Sequence, residues 1–478
     1  MKKAYIATAI PYVNDAPHVG HAMDYLIADV YRRFLSASGD EVRLQAGTDE
    51  HGSKVFKKAV AGEISAQQFV DQNTAKFKNF IERLGVEYTD FIRTTDPDHI
   101  RRCQAIWQKL EPYIYKGSYE GWYCEGCEGF VTQTEYDELG GVCPDHQKPF
   151  IKLSEENYYL RTSEFTGRIK TAIETDEMRI VPQFRKKEFL NLLDGMADVS
   201  ISRPAKQLTW GVPVPGDDTQ VMYVWMDALT NYITVLGYPD QDVSSWWPAI
   251  LQVIGKDIAR FHIGIWPAIL LGLNLPLPRT LLVHGHIMVN GAKMSKSIGN
   301  VVDPIEILDK HGTEAFRYYF LRHVPTTEDA DFSWDKFDSA YNELANDLGN
   351  LVQRLSVMCQ KYSVPGQSWS AGQTSGNRYE ALMQSFEFSA AFDYAWAEIQ
   401  AINKAIDDAK PWEIAKQGDS DKLAATMKSL VENLLSASQL LMPFLPATSA
   451  KIREIFSGAT ITPPATPLFP KRPILPAA

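Results

Sequence analysis

The feature that most constrains this chain lies at its start. Residues 4–10 (AYIATAI) read as a short buried strand and residues 42–46 as a second. Between them, Val19 to Ser38 reads as a helix, because Met23, Leu26, Ile27, Val30 and Leu35 recur at steps of three to four residues. Gly39 fits the stop of that helix. Strand, helix, strand in this order predicts a parallel βαβ unit and therefore an α/β fold.

Strand-like segments return around Gln220–Trp225, Leu251–Ile254 and Leu281–His284, and are expected to form the second half of the same sheet. Residues 116–150 are rich in Gly, Cys and acidic residues, with little periodicity, and read as part of an insertion extending to about residue 205. From about residue 340 to 457 the pattern is helical. Pro463, Pro464, Pro467, Pro470, Pro473 and Pro476 exclude a helix at the end and predict an extended tail.

A length of 478 residues predicts several domains, and 45% hydrophobic content supplies their cores. The net charge of −11 excludes a protein that coats nucleic acid by bulk charge, though not a local RNA-binding groove. The first strand begins so early that no signal or transit peptide is expected, and the compartment expected is the cytoplasm. The most apolar stretch, Phe261 to Pro278, is broken by His262, Pro267, Asn274 and Pro276, which argues against a membrane span.

Two short motifs carry phosphate chemistry. Pro17-His18-Val19-Gly20-His21 lies between the first strand and its helix. A helix N-terminus offers unpaired N–H groups and partial positive charge, Gly20 lets a nucleotide approach the backbone, and two imidazoles can donate to phosphate oxygens. Alone, it reads rather as a capped turn with surface histidines. Lys293-Met294-Ser295-Lys296-Ser297 follows Asn290-Gly291 and suits a loop closing on a polyphosphate; its plain alternative is a charged surface loop. Both motifs in this order, with an α/β pattern between them, are far more specific than either.

The pair resembles the two signature sequences of class I aminoacyl-tRNA synthetases. The resemblance implies a Rossmann-like catalytic domain that binds ATP, with His18 and His21 on the phosphates and Lys293 and Lys296 closing over them. The substrate's own carboxylate would attack the α-phosphorus, so catalysis is positioning plus charge stabilisation.

Other strings resemble the methionyl-tRNA synthetases over most of residues 4–360. They are Ala9-Ile10-Pro11-Tyr12, Gly47-Thr48-Asp49-Glu50-His51-Gly52, the segment Trp225 to Tyr232, Ile254-Gly255-Lys256-Asp257, Phe261-His262 and Val283-His284-Gly285. The resemblance implies a methionine pocket of Ile10, Tyr12, Asp49, Trp225, Ala228, Leu229, Tyr232 and His262. Asp49 would meet the α-ammonium, and His262 would face the thioether or Tyr12. Leu229 stands where many members carry Pro. ATP would be held by His18, Gly20, His21, Gly255, Asp257, His284, Gly285, Lys293 and Lys296, with Asp257 on the ribose and Mg²⁺ accompanying the nucleotide. For the helical segment at Trp225, ordinary core packing is the alternative.

Cys124-x2-Cys127-x15-Cys143-x2-His146 has the spacing of one structural Zn²⁺ site. Four ligands leave no open position, so a catalytic metal is not expected. Farther on, Asn346, Asn350 and Arg354 are spaced i, i+4, i+8 on one helix face, and Pro411-Trp412 breaks a later helix. An indole with amides and a guanidinium suits an unpaired anticodon, and the family places its anticodon readers at matching positions. Core packing is the alternative here too. Arg32 and Arg33 read as a solvated face.

The organisation expected is a first catalytic half at residues 1–115, a connective insertion with the zinc knuckle at 116–205, and a second catalytic half with the lysine loop at 206–297. A linking segment (298–340), an α-helical anticodon-binding domain (341–460) and the Pro-rich tail (461–478) follow. The partners expected are methionine, ATP and tRNA, with a monomer favoured. The rivals are a class I synthetase for cysteine or leucine, a small-molecule nucleotidyltransferase, and a non-catalytic tRNA-binding relative.

Overall fold

The computed structural model describes residues 1–124, 126, 129–289, 291–293, 301–368 and 377–470. Its centre is a six-stranded parallel sheet built from β1 (Lys3–Thr8), β2 (Glu41–Thr48), β3 (Asp90–Arg93), β4 (Arg179–Val181), β5 (Leu251–Gly255) and β6 (Thr280–His284). The spatial order is β3-β2-β1-β5-β6-β4, every neighbour parallel. β5 and β6 are buried at every position, as strands covered on both faces must be. Helix α1 (Ala22–Ala37) crosses from β1 to β2, completing the unit expected at the chain's start.

Side chains alternate between two cores, as the period of two demands. Ile6, Leu44, Val253 and Leu282 pack with α1 on one face, while Tyr5, Ala7, Ile254 and Val283 pack on the other. The first core runs without a break into the C-terminal helices, taking in Leu351, Trp396, Val431 and Phe456.

Two expectations about the sheet need correction. Gln220–Met222 does not join it, but pairs antiparallel with Ser202–Pro204 in a separate two-stranded ribbon. Conversely β4, inside the expected insertion, forms the edge of the main sheet beside β6. Three-residue strands carry too little period to show which sheet they enter. The insertion itself is a four-stranded antiparallel sheet of Ile114–Cys124, Gly129–Val131, Ile151–Leu160 and Val199–Ser200.

Arg32 and Arg33 also differ from expectation. Their side chains are only 13% and 12% exposed, and both turn onto Asp29, which is fully buried. Asp29 lies one helical turn before them, and Arg33 Nε donates to its Oδ2 at 2.8 Å. The same carboxylate meets the buried Arg317 Nη2 at 2.9 Å. Arg317 donates further to the carbonyls of Leu84, Pro443 and Phe444 at 3.1, 3.0 and 2.7 Å.

The C-terminal helices include α3 (Asn350–Lys361), α4 (Phe388–Ala409), α5 (Pro411–Gln417), α6 (Ser420–Leu441) and α7 (Pro446–Phe456). The Pro-rich segment up to residue 470 is non-helical but packed: Ile461 and Phe469 are buried, and Tyr341 Oη donates to the Pro470 carbonyl at 3.0 Å. No helix among the described residues is long and apolar enough to cross a membrane.

Removing one partner of a buried ion pair leaves an uncompensated charge, at a cost of about 3–5 kcal/mol. Arg317→Met is therefore expected to lower the urea midpoint by an amount equivalent to about 3 kcal/mol or more. An unchanged midpoint would show that Asp29 is satisfied by Arg32 and Arg33 alone.

Candidate active site

Parallel sheets bind ligands where the chain reverses direction across the sheet, at the carboxyl ends of the strands. Here that point lies between β1 and β5. It opens into a cavity of about 390 Å³ that gathers the ends of four strands. Ile10 and Tyr12 follow β1, Asp49 follows β2, Gly255 ends β5 with Asp257 just after it, and His284 ends β6 with Gly285 just after it. His18, Gly20, His21 and Trp225 complete the lining among the expected residues. The strand ends close tightly because Gly47 has no side chain: a Cβ there would sit 2.4 Å from Ile92 Cγ2 and 2.8 Å from Ile10 Cγ2.

The two histidines cap the same short helix. His18 Nδ1 accepts from the Gly20 N–H, and His21 Nδ1 accepts from the His18 N–H, both at 3.1 Å. A neutral imidazole that accepts at Nδ1 carries its proton on Nε2. Each ring is thus fixed as an Nε2–H donor, and the rings stack at 3.9 Å. Burial, reinforced by His18, holds the His21 pKa well below its usual value, so this donor stays neutral.

His284 was expected, but its partner was not. Its Nε2 meets Asp24 Oδ1 at 3.1 Å, and its Nδ1 lies 2.8 Å from the Gly285 carbonyl. Burial disfavours charge on His284, yet Asp24, with the Gly285 carbonyl and Asp257, raises its pKa on balance; burial raises Asp24 as well. Asp24 sits in the first turn of α1, where a carboxylate also favours the helix N-terminus. That position beside the histidine motif was the available signal. Asp257 Oδ1 lies 3.5 Å from His286 Nε2, another residue the sequence reading missed.

The eight expected methionine residues divide into two groups. Ile10, Tyr12, Asp49 and Trp225 border the cavity. Ala228, Leu229, Tyr232 and His262 are buried and do not border it; Leu229 packs in the core with Met226 and Ile233. Trp225 lies in the first turn of helix α2 (Val224–Thr234), stacks on Phe261 at 3.8 Å and stands edge-on to His262 at 6.4 Å. His262 faces Tyr232 and not Tyr12. Its Nδ1 lies 3.1 Å from the Ile258 carbonyl, so it donates there, and its Nε2 accepts from Tyr232 Oη at 2.7 Å. Burial lowers the His262 pKa to about 4, keeping it neutral.

Of Lys293 only the main chain is described, in a short strand paired with Met288; Lys296 lies outside the described residues. Ligand atoms of Cys124, Cys143 and His146 lie within 4.8 Å of one another, while Cys127 lies outside the described residues. Two thiols and an imidazole at this separation suit a Zn²⁺ ion. The chain also makes room for the imidazole, since a Cβ at Gly126 would fall 2.3 Å from the His146 ring.

In the helical region Asn346 and Asn350 are exposed. Asn346 lies in a π-helical turn, Ala345–Gly349, that leads into α3, so the run is not one regular α-helical face. Arg354 pairs with Asp407 of α4 at 3.1 Å and donates to the Asn403 carbonyl at 3.4 Å. Lys410 at φ 47° breaks the chain between α4 and α5; Pro411 is buried and Trp412 is 37% exposed. The break thus brings Trp412 to the end of the helix that Arg354 contacts.

The chain matches the family described as tRNA synthetases class I (M) over residues 4–150 and 145–356. Sheet and cavity accordingly belong to a class I tRNA synthetase. The methionine–tRNA ligase of Thermotoga maritima is 37% identical over 470 residues, covering 94% of this chain and 74% of that one. That of Halalkalibacterium halodurans is 39% identical over 484 residues, covering 95% and 73%. The Mycobacterium tuberculosis methionyl-tRNA synthetase in complex with methionyl-adenylate superposes with a TM-score of 0.90 at 32% identity, covering 98% of this chain and 100% of that one. Its apo form gives 0.84 at 30% identity, covering 99% of each. The chain belongs to the methionyl-tRNA synthetase family.

Proposed function

We propose that this chain activates methionine with ATP and transfers it to the 3′-terminal adenosine of a methionine tRNA. The observation that carries the reading is the convergence, in one cavity at the switch point of the sheet, of two fixed Nε2–H donors with Asp49 and Trp225. The methionine carboxylate attacks the α-phosphorus, and the bond to pyrophosphate breaks. The terminal adenosine hydroxyl then attacks the adenylate carbonyl, and AMP leaves. No protein nucleophile is required. His18 and His21 donate to the phosphates as charge shifts onto the leaving pyrophosphate, joined by Lys293 and Lys296 from their loop. Losing one such donor typically costs about 100- to 1,000-fold in rate. Asp257 and Gly255 take the ribose, His284 and Gly285 the adjoining nucleotide, and Mg²⁺ arrives with ATP.

Asp49 takes the α-ammonium, with Ile10, Tyr12 and Trp225 around the side chain. Ala228, Leu229, Tyr232 and His262 form the outer wall. Cys124, Cys143 and His146, with Cys127, hold one structural Zn²⁺, which fastens the turns of the insertion. Trp412 reads the anticodon by stacking, with Asn346, Asn350 and Arg354 beside it and Pro411 setting the break. The compartment is the cytoplasm; Cys103 and Cys359 are buried free thiols, which suits reducing conditions.

Three outcomes follow. Among the twenty amino acids, methionine alone drives efficient ATP–pyrophosphate exchange, and stronger exchange with leucine or cysteine would overturn the assignment. Purified protein contains one equivalent of zinc, which Cys143→Ala releases; charging of tRNA then falls more than adenylate formation, and protein without zinc by elemental analysis would remove the metal. Finally, Trp412→Ala lowers kcat/KM for charging about ten- to a hundredfold, the worth of one stacked base, while exchange is unchanged. A parallel loss of both activities with a lower Tm would make Trp412 a packing residue.

A further inference from the structure

Behind the cavity lies a buried polar set that the proposed chemistry does not use. Asp227, on α2 two residues after Trp225, is fully buried. Its Oδ2 accepts from His51 Nδ1 at 2.7 Å, and its Oδ1 lies 3.3 Å from His99 Nε2. His99 Nδ1 meets Thr234 Oγ1 at 2.7 Å. Cys103 Sγ lies 2.9 Å from Thr230 Oγ1, which donates to the Asp227 carbonyl at 2.7 Å. Three elements therefore converge on one carboxylate: α2, the loop after β2, and the helix Pro97–Leu110 that carries His99 and Cys103. Burial disfavours charge on Asp227, but His51 and His99 together more than offset it and hold the carboxyl below its ordinary range.

The loop after β2 is fastened at successive residues. The Asp49 main chain bridges to the β1 side, its N–H donating to the Pro11 carbonyl at 2.9 Å and its carbonyl accepting from the Val13 N–H at 3.1 Å. Glu50 is fully buried and receives Arg93 Nε and Nη2 at 2.7 and 2.9 Å, with Thr48 and Thr74 hydroxyls at 2.7 Å. His51 is tied to Asp227. Neither Glu50 nor His51 borders the cavity, whereas Asp49 between β2 and these anchors does.

We infer that the His51–Asp227–His99 set positions the amino-acid subsite. It locks the loop that presents Asp49 to the helix that presents Trp225, so the groups for the two ends of the substrate keep a constant separation. His51, Asp227 and His99 are positioning residues and touch no substrate. The inference rests on the reading of this cavity as the methionine site. The ATP side of the cavity, built from the histidine motif and the ends of β5 and β6, lies outside the set.

A network that only stabilised the fold would move every kinetic constant along with Tm. A positioning role predicts a split, because a displacement of about 1 Å in a binding group can cost as much as a hundredfold. Expected for Asp227→Asn is a rise of about ten- to a hundredfold in the methionine KM of pyrophosphate exchange. The ATP KM should stay within about twofold. His51→Ala should behave alike, and His51→Asn, which keeps a donor near the Nδ1 position, should restore much of the loss. Should Asp227→Asn not fold, the two His51 variants decide the matter by the same constants. Unchanged methionine KM, or equal rises in both KM values tracking a lower Tm, would overturn the positioning role while leaving methionine activation intact. Wild-type protein inactive with methionine would overturn both.

Discussion

One buried carboxylate organises this chain over its whole length. Asp29 sits on α1 with no access to water, and Arg317 from the segment after the lysine loop meets it there. Arg317 spends its remaining donors on carbonyls at Leu84 and at Pro443 and Phe444, the turn before α7. A single guanidinium thus joins the catalytic sheet's first helix to the C-terminal helices. The planar fork of Arg suits such a task, whereas the point charge of Lys would not. A buried pair of this kind adds little net stability over an apolar contact, but breaking it is costly. Its effect is on orientation, within a core already continuous from sheet to helical region.

On the proposed reading the same helix carries the phosphate chemistry at its other end. His21 immediately precedes α1, and Asp24 in its first turn pairs with His284 at the end of β6. Asp24 and Asp29 lie on a single rigid element, one facing the cavity and one the helical region. A shift of the helical region is resisted through Arg317 and α1, so the cavity and the more distant helices share one mechanical reference. The Asp49 loop uses similar means, with Glu50 held by Arg93 and His51 by Asp227. In each case a buried acid accepts from donors on separate elements, which fixes their relative placement more sharply than apolar contact does.

What could be read from the sequence follows from these physical scales. β1, α1 and β2 were legible because each is long enough to show its period and the histidine motif sits where a helix begins. The expected residues ringing the cavity were legible because most lie at or just past a strand end, whereas Asp24 on α1 and His286, which also line it, were not. β4 was not, since three residues carry no usable alternation, and Gln220–Met222 was assigned to the wrong sheet for the same reason. Arg32 and Arg33 read as a solvated face because charge normally marks solvent, and the buried acid that reverses this is evident only once Arg317 arrives from far along the chain. Helical phase placed Trp225, Ala228, Leu229 and Tyr232 together, but it could not distinguish cavity from core, and only Trp225 borders the opening. The spacing of Asn346, Asn350 and Arg354 assumed a regular helix, which the π-helical turn interrupts.

If the cavity takes an amino acid as proposed, the wall behind its side-chain end bears on how selective it is. Tyr232 gives its proton to His262, and His262 gives its own to the Ile258 carbonyl. Both donors are therefore committed, and with the His262 pKa at about 4 the imidazole carries no charge near neutral pH. On the proposed reading Tyr12 and Trp225 offer a thioether polarisable rings, and the buried Tyr232–His262 pair behind them has no O–H or N–H left to give. Sulfur–ring contacts are worth about 0.3–1.5 kcal/mol, or roughly two- to twelvefold in affinity. That margin is small against an unbranched analogue in which a methylene replaces sulfur. It is supplemented against leucine by shape, because a branched side chain cannot follow the same path, and against polar competitors by the cost of burying a group with no donor left to meet it. Discrimination on this reading is therefore strongest against polar or branched side chains and weakest against the straight-chain isostere. This ordering follows from where two protons sit.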